Sequence, residues 1–123
     1  MQRDDCLFCK LVREGPHVRK ADGFAAIADI NPKAETHLLV LPERHVDTVR
    51  DIGQFPPDEA KRMLEFVAAT AADAGLQDYR VLVNVGPGAG QTVFHLHWHI
   101  LGGRLDPASV RGLADEAEEV PAL

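Results

Sequence analysis

The sequence lacks several features that would place it in a specialised class of protein. It has only two cysteines, too few for a disulfide framework, and no apolar run of the roughly 18 residues needed to span a membrane. Acidic residues outnumber basic ones by 19 to 13, so the net charge of −6 argues against a nucleic-acid binder with a basic surface. These absences indicate a globular domain with neither nucleic acid nor membrane as its partner. They do not exclude a small anionic ligand held in one pocket.

The composition that remains fits one folded domain. The hydrophobic fraction of 46% is ordinary for a globular protein, and 123 residues can bury a core without disulfides. We expect a single domain over residues 1–123, with a core over 6–104 and a C-terminal tail over 105–123. Residues 1–5 are polar and acidic, unlike a secretion signal, so we expect an intracellular, cytoplasmic protein.

Apolar periodicity predicts five strands and one long helix. Two prolines, two acids and an apolar stripe predict that the long helix follows Pro56 and ends before Gly75. Shorter helices are expected over residues 6–14, near 47–52 and after residue 106. Strands are expected at 17–20, 24–30, 36–41, 80–85 and 92–101, and the glycine-rich loop between the last two predicts an antiparallel pair.

Three histidines alternate with apolar residues in the last predicted strand. Because successive side chains of a strand point to opposite faces, His95, His97 and His99 should share one face. The residues between them should form the buried face: Phe94, Leu96, Trp98 and Ile100. An imidazole is a good nucleophile near neutral pH, since much of it is in the free-base form. The spacing lets a central ring attack while a neighbouring ring handles the leaving group.

Other interpretations of this segment stay open at the level of the residues. A His-x-His pair with one further ligand is a known zinc arrangement, and surface histidines can also alternate in this way. The glycines at positions 86, 88 and 90 are compatible with a plain hairpin loop. Placed directly before the histidines, the loop also offers backbone amides and the side chains of Gln91 and Thr92 for phosphate oxygens. A Cys-x-x-Cys pair, Cys6 and Cys9, indicates metal binding or redox chemistry more than a structural disulfide.

The segment from His95 to Arg104, His-Leu-His-Trp-His-Ile-Leu-Gly-Gly-Arg, resembles the defining motif of the histidine-triad (HIT) nucleotide-binding family. Its Leu-Gly-Gly-Arg end resembles the Hint branch, and further matches keep their order and spacing over residues 6–104. They lie at 7–10, 29–34, 36–37, 41–45, 83–86 and 90–92. The resemblance implies an α+β fold: a HIT-like five-stranded antiparallel sheet with one long helix and short helices, dimerising into a ten-stranded sheet.

The same resemblance implies hydrolysis or transfer at the α-phosphorus of a nucleotide, through a nucleotidyl-histidine intermediate. His97 matches the nucleophile and His99 the ring that assists the leaving group, while His95 and His45 match supporting histidines. Residues at the phosphate-contacting positions are Asn84, Gly90, Gln91 and Thr92. Residues matching the ribose and base contacts are Asp29, Leu7, Phe8 and Ile30. Without the resemblance, Asp29 would be a turn former, and Leu7 and Phe8 core residues.

A structural metal is also implied by the resemblance. In some bacterial relatives, and in the related galactose-phosphate uridylyltransferases, a Cys-x-x-Cys pair joins two histidines around zinc. Here the corresponding ligands are Cys6, Cys9, His45 and His95, a closed tetrahedral set that leaves no open position for catalysis. The alternative is two unpaired thiols with both histidines hydrogen-bonded elsewhere. No organic cofactor is expected, and His37 and His17 are interpreted as structural.

The most specific function that follows is a purine nucleoside phosphoramidase of the adenosine 5′-monophosphoramidate type. One alternative is a dinucleoside polyphosphate hydrolase of the Fhit type, which the Leu-Gly-Gly-Arg end disfavours. A second alternative is a nucleotide-binding regulatory or scaffold protein. A purine nucleotide and a second copy of the chain are the expected partners.

Overall fold

The computed structural model describes residues 5–105, and the helix expected after residue 106 lies outside them. Within that range no helix is long and apolar enough to cross a membrane. Two short 3₁₀ helices, Val49–Gln54 and Pro87–Ala89, lie in connections. The α-helices are α1 (Leu7–Glu14) and α2 (Pro57–Asp73), and the strands are β1 (Arg19–Ala21), β2 (Phe24–Ala28), β3 (Ala34–Pro42), β4 (Tyr79–Leu82) and β5 (Trp98–Leu105).

The strands form one antiparallel sheet in the order β1-β2-β3-β5-β4. The predicted five-stranded antiparallel α+β fold and the antiparallel pairing of the last two strands are therefore confirmed. The strand β3 lies at the centre, where Leu39 pairs with His99 of β5. This pairing places the central strand directly beside residues 92–101, which contain His95, His97 and His99 and which we call the histidine segment.

Helices cover both faces of the sheet, which explains the nearly continuous apolar sequence of β3. Helix α2 covers one face, and α1 covers part of the other. The buried cluster on the α2 face consists of Phe24, Ala26, Leu38, Val40, Val46, Phe55, Met63, Phe66, Val67, Ala71, Leu96 and Ile100. The cluster on the α1 face consists of Phe8, Val12, Ala25, Ile27, Leu39 and Leu41. Alternate residues of β2 and β3 thus enter different cores.

The histidine segment corrects one prediction, because its strand begins at Trp98 rather than at residue 92. Extending the β3–β5 register would place Leu96 opposite Pro42, which has no N–H to donate to a neighbouring strand. The amide of Leu96 instead donates to the carbonyl of Val46 at 2.8 Å. Leu96 is buried as predicted, but Phe94 is 42% exposed, so its predicted place in the core is wrong.

The local structure explains why positions 102 and 103 of the Leu-Gly-Gly-Arg segment are glycines. A Cβ atom on Gly102 would lie 2.5 Å from a methyl carbon of Leu76, which packs over β5. Gly103 has φ of +75°, a conformation that L side chains rarely adopt. Packing against Leu76 favours glycine at position 102 and the backbone conformation favours it at position 103, so the pair is not by itself a sign of substrate preference.

Candidate active site

His97 lies at the centre of the histidine segment, with one nitrogen bound and the other available. Its Nδ1 lies 2.7 Å from the backbone carbonyl of His95, and a carbonyl can only accept, so Nδ1 carries the proton. The edge of Phe8 packs against the ring of His97, with 4.9 Å between centroids. The lone pair of a neutral His97 is consequently on Nε2, the state required of a nucleophile.

His99 follows on β5, beside both His97 and a histidine of the central strand. The rings of His97 and His99 have centroids 5.1 Å apart. Nδ1 of His99 lies 2.9 Å from Nε2 of His37. His37 therefore points towards the histidines, and its interpretation as a merely structural residue is wrong. Leu39 pairs with His99, and His37, two residues earlier on β3, shares its face.

Burial keeps these imidazoles neutral. Removal from water lowers the pKa of His99 to about 4, and the neighbouring His97 and His37 act in the same direction. Burial also lowers the pKa of His97, against opposing effects of its bond to the His95 carbonyl and of the charge on Asp29. Both rings are free bases at neutral pH, which suits nucleophilic attack by His97.

Asp29 connects the histidines with an apolar hollow of about 380 Å³. One carboxylate oxygen accepts from the amide of Asn31 at 2.8 Å, so Asp29 does form a turn. The other oxygen lies 3.4 Å from Nε2 of His37. The lining of the hollow comprises Leu11, Pro16, His17, Val18, Ile27, Ala28, Asp29 and Ile30. Two of the residues predicted to contact the nucleoside, Asp29 and Ile30, therefore lie here.

The other residues predicted to contact the base lie elsewhere. Phe8 is buried against the histidines, and Leu7 is 56% exposed at the start of α1, lining a separate hollow with Thr92 and Phe94. Leu11 lines the larger hollow although no role was predicted for it. Its spacing of one helical turn from Leu7 and Phe8 was the available signal. His17 caps the last turn of α1, with Nε2 2.9 and 2.8 Å from the carbonyls of Leu11 and Val12, which agrees with its interpretation as structural.

The glycine-rich loop is held by Gln91, which is 3% exposed. Its side-chain oxygen accepts from the amide of Gly86 at 2.9 Å, and its side-chain nitrogen donates to the carbonyls of Asp47 and Val93 at 2.7 and 3.0 Å. Gly90 and Thr92 are exposed, and Asn84 is half-buried. The side chain of Gln91 is thus fully occupied in shaping the loop, while its neighbours remain available to a ligand.

Four side chains converge on the other side of the histidine segment, and we call them the Cys–His cluster: Cys6, Cys9, His45 and His95. Their ligand atoms all lie within 4.8 Å of one another, close enough to hold a metal. Nδ1 of His95 lies 3.5 Å from the sulfur of Cys6 and 3.4 Å from that of Cys9. Nδ1 of His45 lies 3.3 Å from the sulfur of Cys9. The sequence-predicted set of four is therefore brought together.

The remote nitrogens of both histidines in this cluster face acceptors. Nε2 of His95 lies 2.8 Å from the carbonyl of Pro42, and Nε2 of His45 lies 3.0 Å from a carboxylate oxygen of Asp47. Each Nε2 therefore carries a proton and each Nδ1 presents a lone pair to the sulfurs. Metal-binding histidines have this arrangement, because the outer acceptor orients the ring.

A five-stranded antiparallel sheet in an α+β fold, with His95, His97 and His99 in a row beside an apolar hollow, is typical of proteins of the histidine-triad class. A sequence profile described as the HIT domain matches residues 12–106. The chain therefore belongs to the HIT family, as a hydrolase of that family. The matched range begins after Cys6 and Cys9, so the family assignment does not depend on them.

Relatives of the chain include proteins from several bacteria. Protein HitA of Neisseria gonorrhoeae is 40% identical over 104 residues, covering 80% of this chain and 96% of that protein. A protein of Escherichia coli K12 named purine nucleoside phosphoramidase is 35% identical over 106 residues, covering 82% and 89%. The solved structure of a histidine triad protein from Clostridium difficile has a TM-score of 0.74 at 38% identity, covering 85% and 95%.

Proposed function

We propose that the protein is a purine nucleoside phosphoramidase that releases an amine from a nucleoside 5′-phosphoramidate. The observation that carries the proposal is the protonation pattern at His97, whose Nδ1 donates to a backbone carbonyl and leaves Nε2 as a nucleophile. The E. coli relative named for this activity supports the choice of substrate. We propose that the purine occupies the apolar hollow that Asp29 and Ile30 line, and that the carboxylate of Asp29 accepts from the ribose hydroxyls.

The reaction takes place in two steps. Nε2 of His97 forms a bond to the α-phosphorus, and the phosphorus–nitrogen bond breaks with its electron pair going to the nitrogen, which takes a proton from solvent. His99 stabilises that nitrogen by donating a hydrogen bond as charge develops. Water then forms a bond to phosphorus, the bond to His97 breaks with its electron pair returning to Nε2, and the proton of water goes to solvent. One water is consumed, and a nucleoside monophosphate and an amine are released.

The phosphate oxygens have several donors near the point of attack. Thr92 and Gly90 are exposed on the loop before the histidines, and Asn84 is half-buried at its start. We propose that these residues contact the phosphate, and that Gln91 acts indirectly by holding the loop in place. Neutral donors of this kind stabilise phosphate charge without a cluster of lysines.

We further propose that the Cys–His cluster holds structural zinc. Tetrahedral zinc, with Zn–S of about 2.3 Å and Zn–N of about 2.0–2.1 Å, would place its sulfur and nitrogen ligands roughly 3.5 Å apart. The observed separations of 3.3 to 3.5 Å fit that value. Zinc would tie α1 to the histidine segment and fix His95 and His45 as supporting residues. Cys6 and Cys9 are not joined in a disulfide, and cysteines are kept reduced in the cytosol, which supports a cytoplasmic location.

A homodimer is proposed from the exposed edge of the sheet. In the described range β4 pairs with β5 on one side only. Its residues Tyr79 and Val81 are 38% and 46% exposed. Pairing of two such edges about a twofold axis would produce a ten-stranded sheet. Light scattering of the purified chain tests this, and a monomer at micromolar concentration would exclude it.

The function is tested by comparing two substrates with purified protein. We expect faster turnover of adenosine 5′-monophosphoramidate than of a diadenosine polyphosphate. Preference for the second substrate would indicate a dinucleoside polyphosphate hydrolase. Binding of adenosine monophosphate without turnover of either would indicate a regulatory or scaffold protein.

A further inference from the structure

Both ring nitrogens of His37 are engaged, and the first contact determines where its proton lies. His37 is 5% exposed on β3, and its Nδ1 lies 3.0 Å from the backbone nitrogen of Lys33. A backbone amide of this kind can only donate, so Nδ1 accepts. Burial lowers the pKa of His37, so the ring is neutral and its single proton is on Nε2.

The second contact determines where the proton of His99 lies. Nε2 of His37 lies 2.9 Å from Nδ1 of His99 and 3.4 Å from a carboxylate oxygen of Asp29. Because Nε2 of His37 donates, Nδ1 of His99 accepts, and the proton of the neutral His99 is on its own Nε2. The amide of Lys33 therefore sets the tautomer of His99 through His37.

The proton thus placed on His99 has no protein partner. Its Nε2 is buried and has no hydrogen-bond partner among the residues that the structure describes. Leaving a buried donor unpaired is destabilising, and such groups are rare in folded proteins. The ring of His99 lies next to that of His97, so an unpaired donor is held beside the nucleophile.

We propose that His37 is a positioning residue, which holds His99 in the tautomer whose Nε2–H donates to the leaving group while Lys33 holds His37 through its backbone. This inference rests on the proposed function, since it requires a leaving group for His99 to stabilise. The carboxylate of Asp29, 3.4 Å from Nε2 of His37, favours a proton on that nitrogen. We call this set of contacts, from the Lys33 amide through His37 to His99, the histidine relay.

Two variants at one position test the relay. His37→Leu removes both contacts, whereas His37→Gln keeps an acceptor for Lys33 and a donor for His99 on one planar amide. With adenosine 5′-monophosphoramidate, whose amine is a poor leaving group, we expect His37→Leu to lower kcat by about 10- to 1,000-fold with a smaller change in KM. With the p-nitrophenyl ester of adenosine monophosphate, whose leaving group needs little stabilisation, the loss should be below about fivefold. His37→Gln should restore most of the activity with the phosphoramidate.

The tautomer itself is measured by the ¹⁵N chemical shifts of the imidazole nitrogens. In the wild-type protein and in His37→Gln, His99 should show a protonated Nε2 and an unprotonated Nδ1, and in His37→Leu a mixture of both forms. Equal losses with both substrates, or a wild-type His99 protonated on Nδ1, would overturn the inference. The NMR result does not require turnover. A wild-type protein that hydrolyses neither substrate would count against the proposed function, while its ¹⁵N shifts would still decide the tautomer.

Discussion

Two groups of side chains in this protein bring several possible metal ligands together. They differ in what the outer nitrogen of a histidine ring contacts, a hydrogen-bond acceptor in one group and, at His37, a donor in the other. The ligand atoms of the Cys–His cluster lie within 4.8 Å of one another, and so do those of Asp29, His37 and His99. In the Cys–His cluster, the remote nitrogen of each histidine faces an acceptor, so the near nitrogen presents a lone pair. In the second group, the remote nitrogen of His37 faces the amide of Lys33, so its near nitrogen carries a proton.

The difference shows that proximity of ligand atoms does not make a metal site. A ring that must keep its proton on the inner nitrogen cannot bind a metal there, although it can donate a hydrogen bond. One set of histidines is therefore suited to holding a metal, and the other to directing a proton. Their order along the chain gives no indication of this, since His95, His97 and His99 have the same spacing.

Replacing the nucleophile should produce the largest effect and separate the reactive histidine from its neighbours. His97→Ala removes the nitrogen proposed to form the bond to phosphorus, so kcat should fall by at least about 1,000-fold. Binding of adenosine monophosphate, measured by calorimetry, should persist, because the hollow beside Asp29 is untouched. Substantial residual turnover in the variant would show that His97 is not the nucleophile.

Removing one ligand should distinguish the two groups by metal content. Cys9 is fully buried and lies 3.3 to 3.4 Å from both histidines of its cluster, so Cys9→Ser should reduce bound zinc from about one per chain to near zero. Loss of the proposed zinc link between α1 and the histidine segment should also lower the Tm by at least about 5 °C. Metal analysis by mass spectrometry is the measurement, and Asp29→Asn serves as the control that should keep its zinc. Wild-type protein with well below one zinc per chain, purified without chelator, would exclude the metal site.

A methyl group added at Gly102 should disturb the position of β5, and with it the histidine relay, without affecting the Cys–His cluster. Gly102→Ala would bring a Cβ within 2.5 Å of Leu76, and relief of the clash should cost about 1–2 kcal/mol of unfolding free energy. Because β5 carries His99, turnover should fall while zinc content stays constant. Gly53→Ala is the matched control, since no heavy atom lies within 4 Å of the added carbon, and it should change stability by less than about 0.5 kcal/mol. Equal stability of the two variants would contradict the close packing of β5.

The smallest expected effect is the response of activity to mild acid. The proposed reaction requires neutral His97 and His99, and burial lowers the pKa of both, that of His99 to about 4. Since protonation as the pH falls would remove both functions, two rings with the ordinary pKa near 6.5 would lose more than about tenfold in kcat/KM between pH 7.5 and 6. We expect a loss below about threefold over the same range. A midpoint at or above pH 6.5 would show that burial does not control these rings.

Much of the fold was predictable because apolar periodicity and turn residues define the elements locally. The long helix, the five strands and the antiparallel last pair were all predicted and are confirmed. The start of β5 was not predicted correctly. Apolar and polar residues alternate from residue 92 onwards, but pairing with a neighbouring strand begins only at Trp98. That boundary depends on Pro42, which is distant in sequence and cannot donate to a ladder.

The site was predictable in part, for a related reason. Resemblance to the family identified the four members of the Cys–His cluster, and the structure brings them together. It did not identify the contact of His37 with His99, because β3 is buried on both faces and its apolar sequence does not show which face lies beside the histidines. Only the register with β5 reveals this, and register is a long-range property.

Asp47 joins two parts of the molecule through different atoms. Its carboxylate accepts from His45, and its backbone carbonyl accepts from the side chain of Gln91, which shapes the glycine-rich loop. Asp47 therefore contacts both His45 of the Cys–His cluster and the loop that is proposed to bind phosphate. With the zinc proposed for the Cys–His cluster, the history of a preparation should matter: exposure to chelators during purification would lower specific activity although His97 and His99 are intact. Batches with equal protein concentration would differ in rate until zinc is restored.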